Sequence, residues 1–221
     1  MSNIQNIQNI QNIQNIQNES NESYQSPICL NDKEVLEIDK YLHLYGTNEG
    51  AVYDETQRIF IVNDIIILRV GEQTYRLIEY HFHLPSEHII NNNNFASEIH
   101  YVFVQHDKNK KYESHNCPDV CSGCSRDISG NVLVIGRVIT NISLEEDRRR
   151  EHCSLAKLQP RIPNQYFEYD GTLTTGANYP VRWIVGRKPI QMKISEITDF
   201  AKTARPIQPL DGRIVLYSRN Y

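Results

Sequence analysis

The sequence predicts a mainly β protein with a mostly antiparallel sheet. From Tyr24 onward, β-branched and aromatic residues alternate with polar ones in short runs. Turn residues such as Asn63-Asp64 and Val70-Gly71-Glu72 separate those runs, and helical periodicity is scarce. The expected strands are Arg58 to Val62, Ile65 to Val70, Tyr75 to Leu84, Ala96 to Gln105, Asn131 to Ile139 and Val181 to Val185. Two short helices are expected. Ser143 to Cys153 carries an N-terminal cap residue and Glu145/Arg149 and Glu146/Arg150 pairs on a solvated face, and Ser195 to Lys202 is the second.

The organisation is a tail followed by one domain. Residues 3 to 17 repeat Asn-Ile-Gln five times and residues 18 to 23 repeat Asn-Glu-Ser twice. A period of three matches neither helix nor strand, so residues 1–23 read as a disordered low-complexity tail, or alternatively as a sticky, multimerising arm. Residues 24–221 form the expected domain, long enough for one core. A balance of 23 basic against 27 acidic residues, with no basic stripe, argues against nucleic acid as a partner. No apolar run is long enough for a membrane span, and the start lacks a signal-peptide pattern. Five unevenly spaced cysteines fit a reducing compartment. The expectation is a cytoplasmic protein.

The chemistry concentrates in Ile78-Glu79-Tyr80-His81-Phe82-His83-Leu84. Strand alternation puts Glu79, His81 and His83 on one face, and Ile78, Tyr80, Phe82 and Leu84 on the other. In the next strand Glu98, His100 and Val102 share a face. Antiparallel pairing of the two strands would bring the third imidazole opposite the first two. Three neutral nitrogen donors with a fourth position open is the pattern of a catalytic zinc site. A lone His-X-His strand usually only shows its polar face to water. Here a carboxylate stands two residues before a histidine in each strand, Glu79 and Glu98, placed to accept an outer ring N–H.

His81-Phe82-His83-Leu84-Pro85-Ser86-Glu87-His88 followed by Phe95-Ala96-Ser97-Glu98-Ile99-His100 resembles the zinc signature of the α-class carbonic anhydrases. So do Gln25-Ser26-Pro27-Ile28, Tyr75-Arg76-Leu77, Val132 to Gly136, Gly171-Thr172-Leu173-Thr174-Thr175, Trp183-Ile184-Val185 and Ala204 to Leu210. The resemblance implies a central twisted, mostly antiparallel sheet with a few short peripheral helices. It implies Zn2+ on His81, His83 and His100, where the metal lowers the pKa of a bound water. It implies that Thr174 and Glu87 orient the nucleophile, and that Val102, Val134, Leu173 and Trp183 form an apolar wall for carbon dioxide. Thr175 would contact bicarbonate, and Glu79 and Glu98 would buttress the ligands. Glu79 stands where relatives commonly carry glutamine. His88 reads as a structural hydrogen-bonding residue.

Three departures from the family pattern point to slow turnover. No histidine lies between Leu44 and Tyr80, where fast members keep a proton shuttle; an ungapped count lands near Thr56. That loss is expected to slow proton release by about tenfold to a few hundredfold. The aromatic amino-terminal segment of relatives is replaced by the repeat, and Thr140 to Tyr169 is short.

Cys117, Cys121 and Cys124, with Cys153, His106, His115 or His152 as a fourth ligand, would suit a second, structural metal; free thiols in a loop insertion are the other reading. Against the zinc lyase stand a catalytically idle binding protein recognising a partner or glycan, and more weakly an esterase. The tail's protein partner is not legible.

Overall fold

The computed structural model describes residues 24–106, 132–142, 154–175 and 179–219. The tail, Cys117, Cys121, Cys124 and the expected helix from Ser143 to Cys153 lie outside the described residues.

The chain runs through β1 (Cys29–Leu30), β2 (Leu36–Ile38), β3 (Leu42–Tyr45), β4 (Val52–Asp54), β5 (Ile59–Ile61), β6 (Ile67–Val70) and β7 (Gln73–Leu84). Then follow β8 (Ile89–Ile90), β9 (Ser97–Gln105), β10 (Val132–Asn141), β11 (Gln165–Thr172) and β12 (Pro180–Met192). A single helical turn, α1 (Ile194–Ile197), leads through a 3-10 turn (Thr198–Phe200) into β13 (Ala201–Thr203), and β14 (Leu216–Arg219) closes the described chain. The second expected helix therefore stops after one turn, and the chain extends from Ala201. Ala201 pairs with Phe82 of β7 and is itself buried, so sheet pairing and core contact override its helical propensity.

β1 and β8 form a small parallel pair, and the other strands form one sheet with the path β2-β14-β11-β12-β10-β9-β7-β5-β4. β3 pairs with β6, and β6 and β13 with β7. Most pairings are antiparallel; β10 runs parallel to β12, β13 to β7 and β14 to β2. The β6–β7 hairpin turns on Gly71 at φ 60, a left-handed conformation natural to glycine, with Val70 opposite Gln73.

β12 runs well past the expected end at Val185. The register slips where Arg137 pairs with Gly186 but Ile139 pairs with Ile190. Pro189 lies in that bulge, where a missing N–H is tolerated. The buried Arg137 guanidinium pins the bulge, Nη1 donating to Arg161 O (2.7 Å) and Nη2 to Lys188 O (3.2 Å).

Two apolar clusters lie against the sheet. One gathers Phe60, Tyr80, Phe82, Tyr101, Ile135, Tyr166, Ile184 and Ile197, with Phe60 stacked on Tyr80 at 5.0 Å; such a ring pair adds about 0.5–1.5 kcal/mol beyond its buried area. The other gathers Ile78, Val102, Val134, Leu173 and Trp183. Ile78 thus lies with the second cluster and not with Tyr80. The register of β7 against β9 steps from Leu77–Phe103 to Glu79–Val102, so Ile78 is an extra residue in β7. A β-bulge of this kind resets the alternation. Glu79, His81 and His83 keep one face, and Ile78 joins it.

Candidate metal centre

The β7–β9 register sets His81 opposite His100 and His83 opposite Glu98. The three rings converge, with centroids 5.0 Å apart for His81–His83, 5.3 Å for His81–His100 and 4.6 Å for His83–His100. One ligand-capable nitrogen from each lies within 4.8 Å of the others, and all three residues are buried.

Each ring has an oxygen neighbour on its outer side. His81 Nδ1 meets Glu79 Oε1 at 3.2 Å. His83 Nδ1 meets Thr203 O at 3.4 Å and lies 3.3 Å from Glu87 Oε1. His100 Nε2 approaches Glu98 Oε1 at 3.2 Å, off hydrogen-bonding geometry. The Nε2 atoms of His81 and His83 are buried without any partner. Burial leaves both imidazoles well below their usual pKa of 6.5. Lys202 and His100 add to the effect on His81, and His100 and His81 to that on His83; Glu98 opposes it. The rings are therefore neutral near pH 7, with lone pairs available. Orphaned neutral donors spaced this way fit a tetrahedral zinc site, whose Zn–N bonds are about 2.0–2.1 Å.

Glu98 anchors a polar chain behind the site. Its Oε2 accepts the backbone N–H of Glu87 (2.9 Å) and of His88 (2.8 Å), and its Oε1 meets His88 Nδ1 at 2.8 Å. His88 Nε2 meets Tyr169 Oη at 2.7 Å, and Tyr169 Oη donates to Ser26 Oγ at 3.1 Å. Both ring nitrogens of His88 are thus engaged, although with Glu98 and His100 it also forms a second group of buried side chains spaced to hold a metal. Burial would push the Glu98 carboxyl up, but the charges and hydrogen bonds of His88 and His100 hold it well below the usual range.

Glu87 is buried beside the histidines. Its Oε1 accepts the Arg205 N–H at 2.8 Å. Its Oε2 is buried without a formed hydrogen bond, and the Thr174 side chain favours the charged form of the carboxyl. Burial pushes the carboxyl up, against the lowering by His100, Thr174 and Arg205. Thr174 and Thr175 are half-buried in the loop after β11. Leu173, Val102, Val134 and Trp183 are buried in the cluster on the histidine side. Trp183 sits 4.8 Å from the His100 ring and donates Nε1–H to Thr172 O at 3.0 Å.

The structure thus gathers His81, His83, His100, Glu79, Glu87 and Glu98. Thr56, at the position read for a shuttle, is exposed in the turn between β4 and β5. Four contributors escaped the sequence reading: Thr203 through its carbonyl, Arg205 through its N–H, and Tyr169 and Ser26 through the chain to His88. Ser26 and Arg205 fall inside recognised segments, but nothing in one sequence ties positions up to 146 residues apart.

A twisted mixed sheet carrying three converging imidazoles on one face, backed by carboxylates, defines a β protein built around a candidate three-histidine metal centre. A sequence model of the eukaryotic-type carbonic anhydrases matches residues 9–219, and the chain belongs to that family. It is 30% identical over 218 residues to alpha carbonic anhydrase 3 of Arabidopsis thaliana, covering 86% of this chain and 73% of that one. It is 26% identical over 158 residues to a carbonic anhydrase of Pectobacterium carotovorum, covering 68% of this chain and 61% of the relative. Among solved structures, the α-carbonic anhydrase of Thermovibrio ammonificans with sulfanilamide superposes with a TM-score of 0.61 at 24% identity, covering 87% of this chain and 86% of that one. A Chlamydomonas reinhardtii carbonic anhydrase with acetazolamide reaches 0.65 at 22% identity, covering 90% and 92%.

Proposed function

We propose that the chain catalyses the reversible hydration of carbon dioxide to bicarbonate and a proton, with Zn2+ held by His81, His83 and His100. The observation that carries this reading is the pair of partnerless buried Nε2 atoms on neutral rings, facing the third imidazole. Zinc bound there would supply a nucleophile from water near pH 7, a property known for carbonic anhydrases themselves.

The chain's own groups do the rest. Glu79, Glu98 and the Thr203 carbonyl fix the ligand rings. Glu87 accepts the Thr174 hydroxyl proton in a hydrogen bond, which leaves Thr174 Oγ1 free to accept one from the attacking oxygen and orient it. This is positioning, with no net proton transfer. Carbon dioxide is neutral and weakly polar, so Val102, Val134, Leu173 and Trp183 hold it and exclude water, and Thr175 contacts the bicarbonate product. Proton release limits turnover, because no histidine lies between Leu44 and Tyr80. We further propose a cytoplasmic location, from the uneven spacing of the five cysteines; among the described residues Cys29 forms no disulfide and no helix is long and apolar enough to cross a membrane.

The test measures zinc by elemental analysis and carbon dioxide hydration by stopped flow, in wild type and His100→Ala. Stoichiometric zinc with sulfonamide-sensitive hydration, both lost in His100→Ala, is expected. Imidazole buffer should raise the wild-type rate by replacing the missing shuttle. Zinc without hydration would leave a binding protein in place of an enzyme, and a rate indifferent to imidazole would end the proton-release argument.

A further inference from the structure

We infer that Lys202 is the cationic wall of the metal pocket and governs how tightly the site holds anions, bicarbonate included; this rests on the metal reading above.

The placement follows from register. β13 runs parallel to β7, with Ala201 beside Phe82, Lys202 beside His83 and Thr203 beside Leu84. Residues paired across parallel strands share a sheet face. Ala201 and Phe82 are buried together in the cluster on the far side of the sheet, so Lys202 stands on the face of His83 and His81. The strand is fixed there from both directions: the Thr203 carbonyl meets His83 Nδ1, and the Ala201 carbonyl accepts Arg58 Nη1–H at 2.8 Å. Lys202 is half-buried on that face. Its charge acts on His81 and His83, opposing any further positive charge on the rings.

The pocket has a reason to need such a group. Three carboxyl groups, Glu79, Glu87 and Glu98, lie within 4 Å of the three imidazoles. Acidic side chains crowded this closely around one group of imidazoles make the pocket a poor host for an anion. A fixed ammonium on the same face offsets this and draws monoanions toward the metal. Carbon dioxide is uncharged and gains nothing from it. Lys202 is therefore a positioning residue for the ionic partner of the reaction.

The experiment loads wild type, Lys202→Ala and Lys202→Arg with cobalt(II), and titrates thiocyanate while following the visible spectrum of the metal. Lys202→Ala should bind thiocyanate about three- to tenfold more weakly at low ionic strength, as expected of one charge acting across a half-solvated pocket. The gap should narrow in about 0.5 M sodium sulfate, where screening shortens the reach of the charge. Lys202→Arg should hold wild-type affinity, and binding of neutral imidazole should be equal in all three. Equal thiocyanate affinity in cobalt-loaded wild type and Lys202→Ala overturns the role of Lys202 and leaves the metal reading intact. A wild-type chain that takes up no cobalt or zinc overturns both.

Discussion

Gly136 shows how little room the site leaves. It pairs with His100 across β9 and β10, and a Cβ built on it would come within 2.6 Å of Glu98 Oε1, with Val185 and Trp183 next nearest. Glu98 cannot retreat cheaply, because it holds two backbone N–H groups and His88. Gly136→Ala is therefore expected to destabilise the fold by about 1–3 kcal/mol, the usual scale for overpacking a filled core. It should also weaken zinc by about ten- to a hundredfold, a magnitude known from buttressing residues in carbonic anhydrases themselves. Urea denaturation and chelator competition measure the two separately, and wild-type zinc affinity in Gly136→Ala would show that Glu98 can move without harm. His81, His83, His100 and their acidic neighbours are legible in the sequence because strand alternation fixes which side chains share a face. The glycine's tolerance is not, since it depends on a carboxylate reaching across from the neighbouring strand.

At the level of a strand, β7 holds two buried imidazoles that the unfolded chain would expose. The folded pKa of both lies below 6.5, burial being the main cause. Below about pH 6.5 the unfolded rings take up protons while the folded ones do not, so stability falls as pH drops, and the contribution is fully present above that pH. Each ring contributes a slope of up to about 1.4 kcal/mol per pH unit in that window. Unfolding free energies of chelator-treated protein, from urea titrations at pH 7.5 and 5.5, should therefore separate more widely for wild type than for His81→Gln/His83→Gln, by about 1–2 kcal/mol. Equal separations would mean the rings protonate in place. The same strand marks where alternation stops being readable. Tyr80 to His83 follow it, but the inserted Ile78 reverses the phase before them, and a bulge leaves no mark in residue type alone. β11 is not among the expected strands at all. Its Glu168 is buried, with Lys40 Nζ at 2.9 Å and the Arg182 guanidinium on the same carboxylate. Where both faces of a strand are covered, polar residues stop reporting exposure.

Across the whole molecule, the site draws on parts of the chain far apart in sequence. Ser26 enters through Tyr169, the ligands come from β7 and β9, and Thr203 and Arg205 arrive from the segment after α1. β11 and the remaining short strands are not readable from local pattern; six strands, β5, β6, β7, β9, β10 and β12, are. Their assembly is not, because the parallel pairing of β10 with β12 and of β13 with β7 joins segments with no local signal between them. Only the ordered set of family-like segments carries that information. A ligand gripping such a site stabilises the fold as a unit, since none of its donors is in place in the unfolded chain. Free zinc at about a thousand times its dissociation constant should add about 4 kcal/mol of stability. For a domain of this size that corresponds to a rise in Tm of about 8–16 °C. Thermal melts with and without chelator measure the rise, and His100→Ala should remove it while leaving the chelated midpoint within a few degrees of wild type. A rise that survived in His100→Ala would mean that the stabilising ion sits elsewhere, and the three imidazoles would lose their claim to it.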